Sequence, residues 1–199
     1  MTIIYSHKPL KDRVPADFYP TPIELSDAAL DLLDRDDFVS CIDVGAGDGV
    51  WGESFRKRFG VMPILTGIDI RDDAKGNTLN GIYDKWIVDD YLNHNEKYNL
   101  IFGNPPFRFA NDIVKHSLDL LEQGGVLLFL LRSAFSESKK RYEIFYSVGL
   151  NPKYEYQSVR RISFTGNKKS DNTAYSIFIW EKGWKGETIK RWLDWEYAE

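Results

Sequence analysis

The chain of 199 residues is 43% hydrophobic and 15% aromatic, enough apolar side chain for a sizeable core and a length that favours one domain. Its single cysteine, Cys41, excludes an internal disulfide framework, and the longest apolar run, residues 126–131, is too short to span a bilayer. The net charge of −4 does not mark a nucleic-acid binder, yet residues 132–169 carry nine Lys and Arg against three Asp and Glu, so one local face is basic.

In chain order, residues 1–17 read as an extended arm. Helical periodicity follows over 22–33, with Thr21 as N-cap, Pro22 at the first helical position and Glu24 at the third. An apolar strand at 39–44, with Cys41 as a small core residue, runs into Asp43-Val44-Gly45-Ala46-Gly47-Asp48-Gly49, and a helix follows at 50–59. Strands at 64–70 and 85–89 come next, then a polar stretch at 91–97 too short for a full helix. A strand at 99–103 leads directly into Asn104-Pro105-Pro106-Phe107. The remaining pattern is a helix at 109–121, a strand at 126–132, a helix at 136–148, and strands at 153–159 and 173–180. Gly124-Gly125 and Gly149 end the two helices. Alternation of short apolar runs with helical stretches is the signature of an α/β chain with a mostly parallel sheet. The Trp-rich segment 183–199, with Trp184, Ile189, Trp192, Leu193 and Trp195, reads as an amphipathic element that packs on its own domain or forms an oligomer contact.

Two segments carry chemistry. Glycines in the turn at 43–49 let the backbone bend tightly and approach a ligand closely. Asp69, 22 residues after Gly47 at the end of the next strand, is placed to accept hydrogen bonds from ribose hydroxyls. Asp90-Tyr91, after the third strand, offers an acceptor for an adenine amino group and an aromatic wall. Asn104-Pro105-Pro106-Phe107 follows a strand, where ligands of open α/β sheets bind. Its prolines stiffen the turn and remove two N–H donors. The Asn104 side-chain oxygen and the Pro105 carbonyl could then accept both protons of an amine, with Phe107 stacked on a planar target.

With these residues quoted, the chain resembles the class I S-adenosylmethionine-dependent methyltransferases. The segments around Asp43, Asp69 and Asp90 look like their first three motifs, and Asn104–Phe107 resembles motif IV of amino-methyltransferases. Phe18-Tyr19-Pro20-Thr21-Pro22 resembles motif X of amino-directed DNA methyltransferases. The order is similar to the γ arrangement, and the stretch from Phe18 to Lys182 looks like small phage-type or prophage-type DNA adenine-N6 methyltransferases. The resemblance implies a Rossmann-like, mostly parallel seven-stranded sheet with an antiparallel last strand and helices on both faces. It implies that Phe18, Tyr19, Pro20, Thr21, Asp43, Gly45, Ala46 and Gly47 surround the methionine end of S-adenosylmethionine. Asp69 and Ile70 would then meet its ribose, and Asp90 and Tyr91 its adenine.

The resemblance further implies methyl transfer to adenine N6 in duplex DNA with the base flipped out, by a single domain of residues 1–199. A separate recognition domain, which the larger γ enzymes carry, is not expected. In the basic loop at 160–172, Phe164 is a candidate second stacking surface, and Arg160, Arg161, Lys168 and Lys169 are candidate phosphate contacts. Lys139, Lys140 and Arg141 read as the exposed start of a helix. The same chemistry on RNA adenine or protein glutamine, and a non-catalytic nucleic-acid-binding subunit, remain as alternatives. No spacing of His7, His94, His116 and Cys41 suggests a metal site. With no signal-peptide pattern at the start and no membrane segment, a cytoplasmic protein is expected.

Overall fold

The computed structural model describes residues 20–74, 81–164 and 172–196. The expected arm at 1–17, and the candidate residues Phe18, Tyr19, Lys168 and Lys169, lie outside them. Strands β1 (Ser40–Val44), β2 (Ile64–Asp69), β3 (Lys85–Val88), β4 (Tyr98–Gly103) and β5 (Leu121–Arg132) pair in parallel. Strand β7 (Tyr175–Glu181) is antiparallel to both β5 and β6 (Tyr154–Ser158), and β8 (Ile189–Leu193) runs parallel to β6. The resulting order is β3-β2-β1-β4-β5-β7-β6-β8.

Period-two alternation decides which face each strand residue serves. Leu100 and Phe102 of β4 join one apolar cluster beneath helices α1 (Ile23–Leu30) and α2 (Val50–Phe59). Ile101 faces the other way, into a cluster under α3 (Ala110–Leu120). Strand β5 supplies both, Leu128 and Leu130 to the first and Leu127, Phe129 and Leu131 to the second. That is why its sequence is a continuous apolar run. Each such side chain contributes about 1.5–3 kcal/mol by burial. Among the described residues no helix is long and apolar enough to cross a membrane.

Three expectations need correction. The sheet has eight strands, not seven, because part of the Trp-rich segment forms β8. Its register sets Lys190 opposite Glu155, and Lys190 Nζ lies 3.1 Å from that buried carboxylate. The Arg191 guanidinium lies over the Tyr154 ring, and buried Trp195 donates to Ser158 Oγ at 2.9 Å. Secondly, the helix expected at 136–148 is broken. A 3-10 turn at Ser133–Ser136 gives way to Ser138 at φ 106°, then to a short α turn (Lys139–Arg141) and a π turn (Tyr142–Tyr146). Arg141 causes part of this, donating to the Ala134 carbonyl at 2.8 Å and to Asn111 Oδ1 at 2.9 Å. Thirdly, Thr21 does not cap α1. Pro22 occupies the N-cap, its carbonyl accepting from Leu25 N, and the Thr21 hydroxyl is used elsewhere.

Trp195 is the anchor of the added strand. Trp195→Ala should lower unfolding free energy by about 3–5 kcal/mol, the usual cost of removing a buried Trp. Urea denaturation followed by far-ultraviolet circular dichroism checks this, and an effect below 1 kcal/mol, on the order of a surface substitution, would contradict it.

Candidate active site

Strands β1 and β4 are neighbours, and the chain leaves their C-terminal ends to form the two candidate segments. On one side of β1 lies β2, on the other β4, so the crevice opens where the strand order reverses. Gly45, Gly47 and Gly49 take φ of 70°, 54° and 87°, a region closed to most side-chain-bearing residues. The turn is fixed from beneath, since Gly45 N and Ala46 N both donate to the Ile68 carbonyl at 2.9 and 3.0 Å. A Cβ on Gly45 would stand 3.6 Å from the Asn104 carbonyl oxygen and 3.8 Å from Pro105 Cα. The two sequence-predicted half-sites are therefore in contact.

Asp69 closes the glycine turn. Its Oδ2 accepts from Gly47 N at 2.8 Å, and its Oδ1 accepts from Arg71 N at 2.9 Å and Arg71 Nε at 3.1 Å. A carboxylate offers roughly four lone-pair positions, so ligand hydroxyls arriving here must share them with Arg71. Ile70 follows at the half-buried rim, while Pro20 is exposed. Asp90 Oδ1 accepts from Leu92 N at 3.2 Å and caps the 3-10 turn Tyr91–Asn93. Tyr91 itself lies in the core, its hydroxyl 3.0 Å from Ser117 Oγ of α3 and its ring edge-on to His116. The aromatic wall read from the sequence is thus a packed side chain under α3.

Asp43 is fully buried at the joint between the two segments. Burial pushes its carboxyl up to about 7, nearby Asp69 adds to the rise, and the Tyr83 hydroxyl, donating to Oδ2 at 2.7 Å, opposes it. Among the described residues Asp43 Oδ1 has no hydrogen-bond partner. Tyr83 reaches this position because α2 carries glycine at 52, where a Cβ would stand 2.5 Å from the phenol ring. That glycine costs about 1 kcal/mol of helix propensity in exchange for the approach. Arg56 holds the same loop, donating to the Ile82 carbonyl at 2.7 Å and Asp84 Oδ2 at 2.7 Å.

Thr21 joins three segments. Its hydroxyl oxygen accepts from Trp51 Nε1 at 3.0 Å and from Asn104 Nδ2 at 3.1 Å. The second bond orients the Asn104 amide, making Oδ1 its acceptor end. Pro105 is buried, Pro106 and Phe107 are half-buried, and Phe107 packs against Tyr175 at 5.2 Å and Phe164 at 6.4 Å between ring centroids. Phe164 is itself buried, edge-on to Tyr175 at 5.0 Å, so it backs Phe107 from within the core. Arg160 is ion-paired with Glu196 at 2.5 Å and Asp194 at 3.7 Å, and Arg161 donates to the Asn172 carbonyl at 3.2 Å.

Sequence reasoning missed Trp51, Tyr83, Tyr175 and Arg132. Trp51 carried one usable signal, since an indole N–H buried in the first turn after the glycine segment must find an acceptor. The other three come from distant segments: the sheet register brings Tyr175 and Arg132 to the site, and the approach over Gly52 brings Tyr83.

The sheet order, with β7 as the antiparallel strand and a glycine turn after β1, is the fold of the class I S-adenosylmethionine-dependent methyltransferases. Residues 26–150 match the family model described as methyltransferase small domain, and the chain belongs to that family. No curated protein sequence matches the chain. Among solved structures, a Listeria monocytogenes protein assigned as a class I S-adenosylmethionine-dependent methyltransferase aligns with TM-score 0.67 at 13% identity, covering 92% of this chain and 68% of that one. A type I restriction-modification methyltransferase subunit from Streptococcus thermophilus aligns with TM-score 0.67 at 14% identity over 86% of this chain and 47% of its own. A Pyrococcus horikoshii protein assigned as an RNA methyltransferase aligns with TM-score 0.62 at 16% identity over 80% and 81%. This chain thus spans about half the length of the restriction subunit. Family and fold imply S-adenosylmethionine as cofactor, and the residues fit it: three left-handed glycines form a cradle, and Asp43 presents a buried oxygen at its base.

Thr21→Val removes the acceptor of two N–H donors and should destabilise by about 1–3 kcal/mol for each donor left buried without one. Thr21→Ser should restore most of that loss in thermal unfolding. For Asp43 the sign is that of an acid whose folded pKa is raised. The folded chain holds the proton more tightly than the unfolded one, in which Asp titrates near about 3.9. The associated stability is therefore present below about pH 4 and lost as pH rises to about 7. Asp43→Asn should flatten the fall of melting temperature across that window, and an unchanged slope would contradict the assignment.

Proposed function

We propose that this chain transfers a methyl group from S-adenosylmethionine to the N6 amino group of adenine in DNA. The observation that carries the reading is the contact of the Gly45 turn with the Asn104–Pro105 backbone, which sets an amine-accepting segment directly against the cofactor cradle. Bound there, S-adenosylmethionine supplies an electrophilic methyl carbon. The lone pair of an aromatic exocyclic amine is delocalised into its ring. Asn104 Oδ1 and the Pro105 carbonyl would accept hydrogen bonds from its two N–H groups and draw the nitrogen towards a pyramidal shape. The nitrogen lone pair would form the new N–C bond as the sulfonium S–C bond breaks, releasing S-adenosylhomocysteine, and the acidic methylated nitrogen would lose one proton to solvent. Phe107 would hold the ring plane, and Thr21 would hold the Asn104 amide. Catalysis in this scheme is orientation plus electrostatic preorganisation. Support for DNA as substrate comes from the similarity to a restriction-modification methyltransferase subunit and from the basic segment 132–169.

A second reading keeps the chemistry and moves it to RNA adenine. The similarity to the Pyrococcus protein assigned as an RNA methyltransferase favours it.

Incubation with methyl-labelled cofactor and unmethylated duplex DNA, then nucleoside analysis, should give N6-methyladenine. Label in adenine of an RNA substrate only would move the assignment to the second reading, and no labelled adenine in either from cofactor-binding protein would refute both. Asn104→Ala should lower turnover by roughly a hundredfold or more, as loss of one preorganised polar contact does. Its cofactor affinity, by calorimetry, should stay within a few-fold of wild type; parallel loss of cofactor binding would contradict the role given to Asn104.

A further inference from the structure

In the basic loop singled out in the sequence, Arg160 is ion-paired with Glu196 and Asp194 and Arg161 donates to the Asn172 carbonyl, while Lys168 and Lys169 lie outside the described residues. Arg141, too, is engaged in holding the turn after β5. Arg132 differs. It ends β5, the strand next to β4, and is exposed. Its guanidinium lies over the Phe107 ring, 5.5 Å from the centroid, and among the described residues it forms no ion pair. The register pairs it with Tyr175, which backs Phe107 from the other strand. Arg108, one residue beyond Phe107 in the chain, is exposed with its guanidinium over the Phe109 ring, 5.0 Å from the centroid.

Resting on the proposed nucleic-acid substrate, we propose that Arg132 grips that substrate. Its guanidinium covers the face of Phe107 until a planar target enters, then binds a backbone phosphate flanking the target. Magnitudes favour the exchange. An exposed cation–π contact is worth a factor of about two to five in an equilibrium, whereas a base stacked on an aromatic ring is worth roughly fivefold to a hundredfold. A guanidinium displaced from Phe107 stays at the pocket mouth, and its planar fork suits a phosphate.

The test is the salt dependence of affinity for a mixed-sequence duplex DNA containing unmethylated adenine. Arg132→Met keeps an unbranched side chain for Phe107 and removes the charge. It should weaken binding roughly tenfold at low salt and flatten the slope of log K against log salt by about one unit. Arg132→Lys should recover most of the slope, being able to meet phosphate as a point charge. Lys57→Met, on α2 and ion-paired with Asp27, controls for loss of one charge and should leave the slope unchanged. Cofactor affinity should be the same in all variants. A wild-type slope in Arg132→Met overturns the inference while leaving the methyltransferase reading intact. Absence of salt-dependent DNA binding by the wild type overturns both this inference and the DNA substrate, and a slope change confined to single-stranded RNA overturns the duplex assignment.

Discussion

The arrangement depends on one parallel pairing, β1 beside β4, with Asp43 opposite Phe102. That register ends both strands at one level, so the glycine turn and the Asn104 turn emerge side by side. Their separation leaves no room for a larger residue at the joint. A Cβ on Gly103 would stand 2.7 Å from the Val44 carbonyl oxygen and 2.8 Å from Asp43 Oδ1. A slip of one residue would turn Leu100 and Phe102 out of one core layer and Ile101 out of the other, which is why the apolar pattern enforces the pairing. The chemical proximity of the half-sites is therefore a by-product of burial.

Polar groups at this joint are held by partners from far along the chain. Thr21 precedes the first helix, Trp51 lies in the second, and Asn104 follows the fourth strand, yet one hydroxyl oxygen accepts from both nitrogens. Tyr83 reaches Asp43 over a glycine in α2, fixed by Arg56 from the same helix. Burial raises the pKa of Asp43, and one of its oxygens has no hydrogen-bond partner among the described residues. Such groups set the site's shape before any ligand arrives, as preorganisation requires.

Much of this was legible in the sequence, for a definite reason. The glycine turn, the acid 22 residues beyond it and the Asn-Pro-Pro-Phe segment are local patterns whose backbone demands can be read from residue type. Helix α2 lies at the predicted bounds because Gly49 and Gly60 punctuate it. What failed was long-range. Thr21 looks like a cap by its neighbours, but the buried indole and amide N–H groups compete for its oxygen and win. Strand β8 reads as an amphipathic tail because its pairing needs Glu155, 35 residues upstream. The Ser136–Val148 segment has helical periodicity, yet Arg141 bonds back to the Ala134 carbonyl and a single left-handed Ser138 interrupts it. Phe164 and Tyr91 have the composition of ligand-facing aromatics and the burial of core ones, a difference that only packing decides.

Charge follows the same division. The acids near the glycine turn, Asp43 and Asp69, are buried or nearly so, and each accepts from a donor brought by another segment, the Tyr83 hydroxyl and the Gly47 N–H. The arginines of the second half are instead sorted by what lies within reach. Arg160 sits beside the segment after β8, whose acids neutralise it; Arg141 folds back onto main-chain carbonyls. Arg132 ends a strand flanked by β4 and β7, and its guanidinium lies over the ring of Phe107, in the turn that follows β4, with Tyr175 opposite it in the register. A guanidinium against an aromatic face retains most of its hydration and its long-range field. The added strand β8 thus does more than extend the sheet: it brings Asp194 and Glu196 to Arg160, so that this guanidinium is ion-paired within the chain.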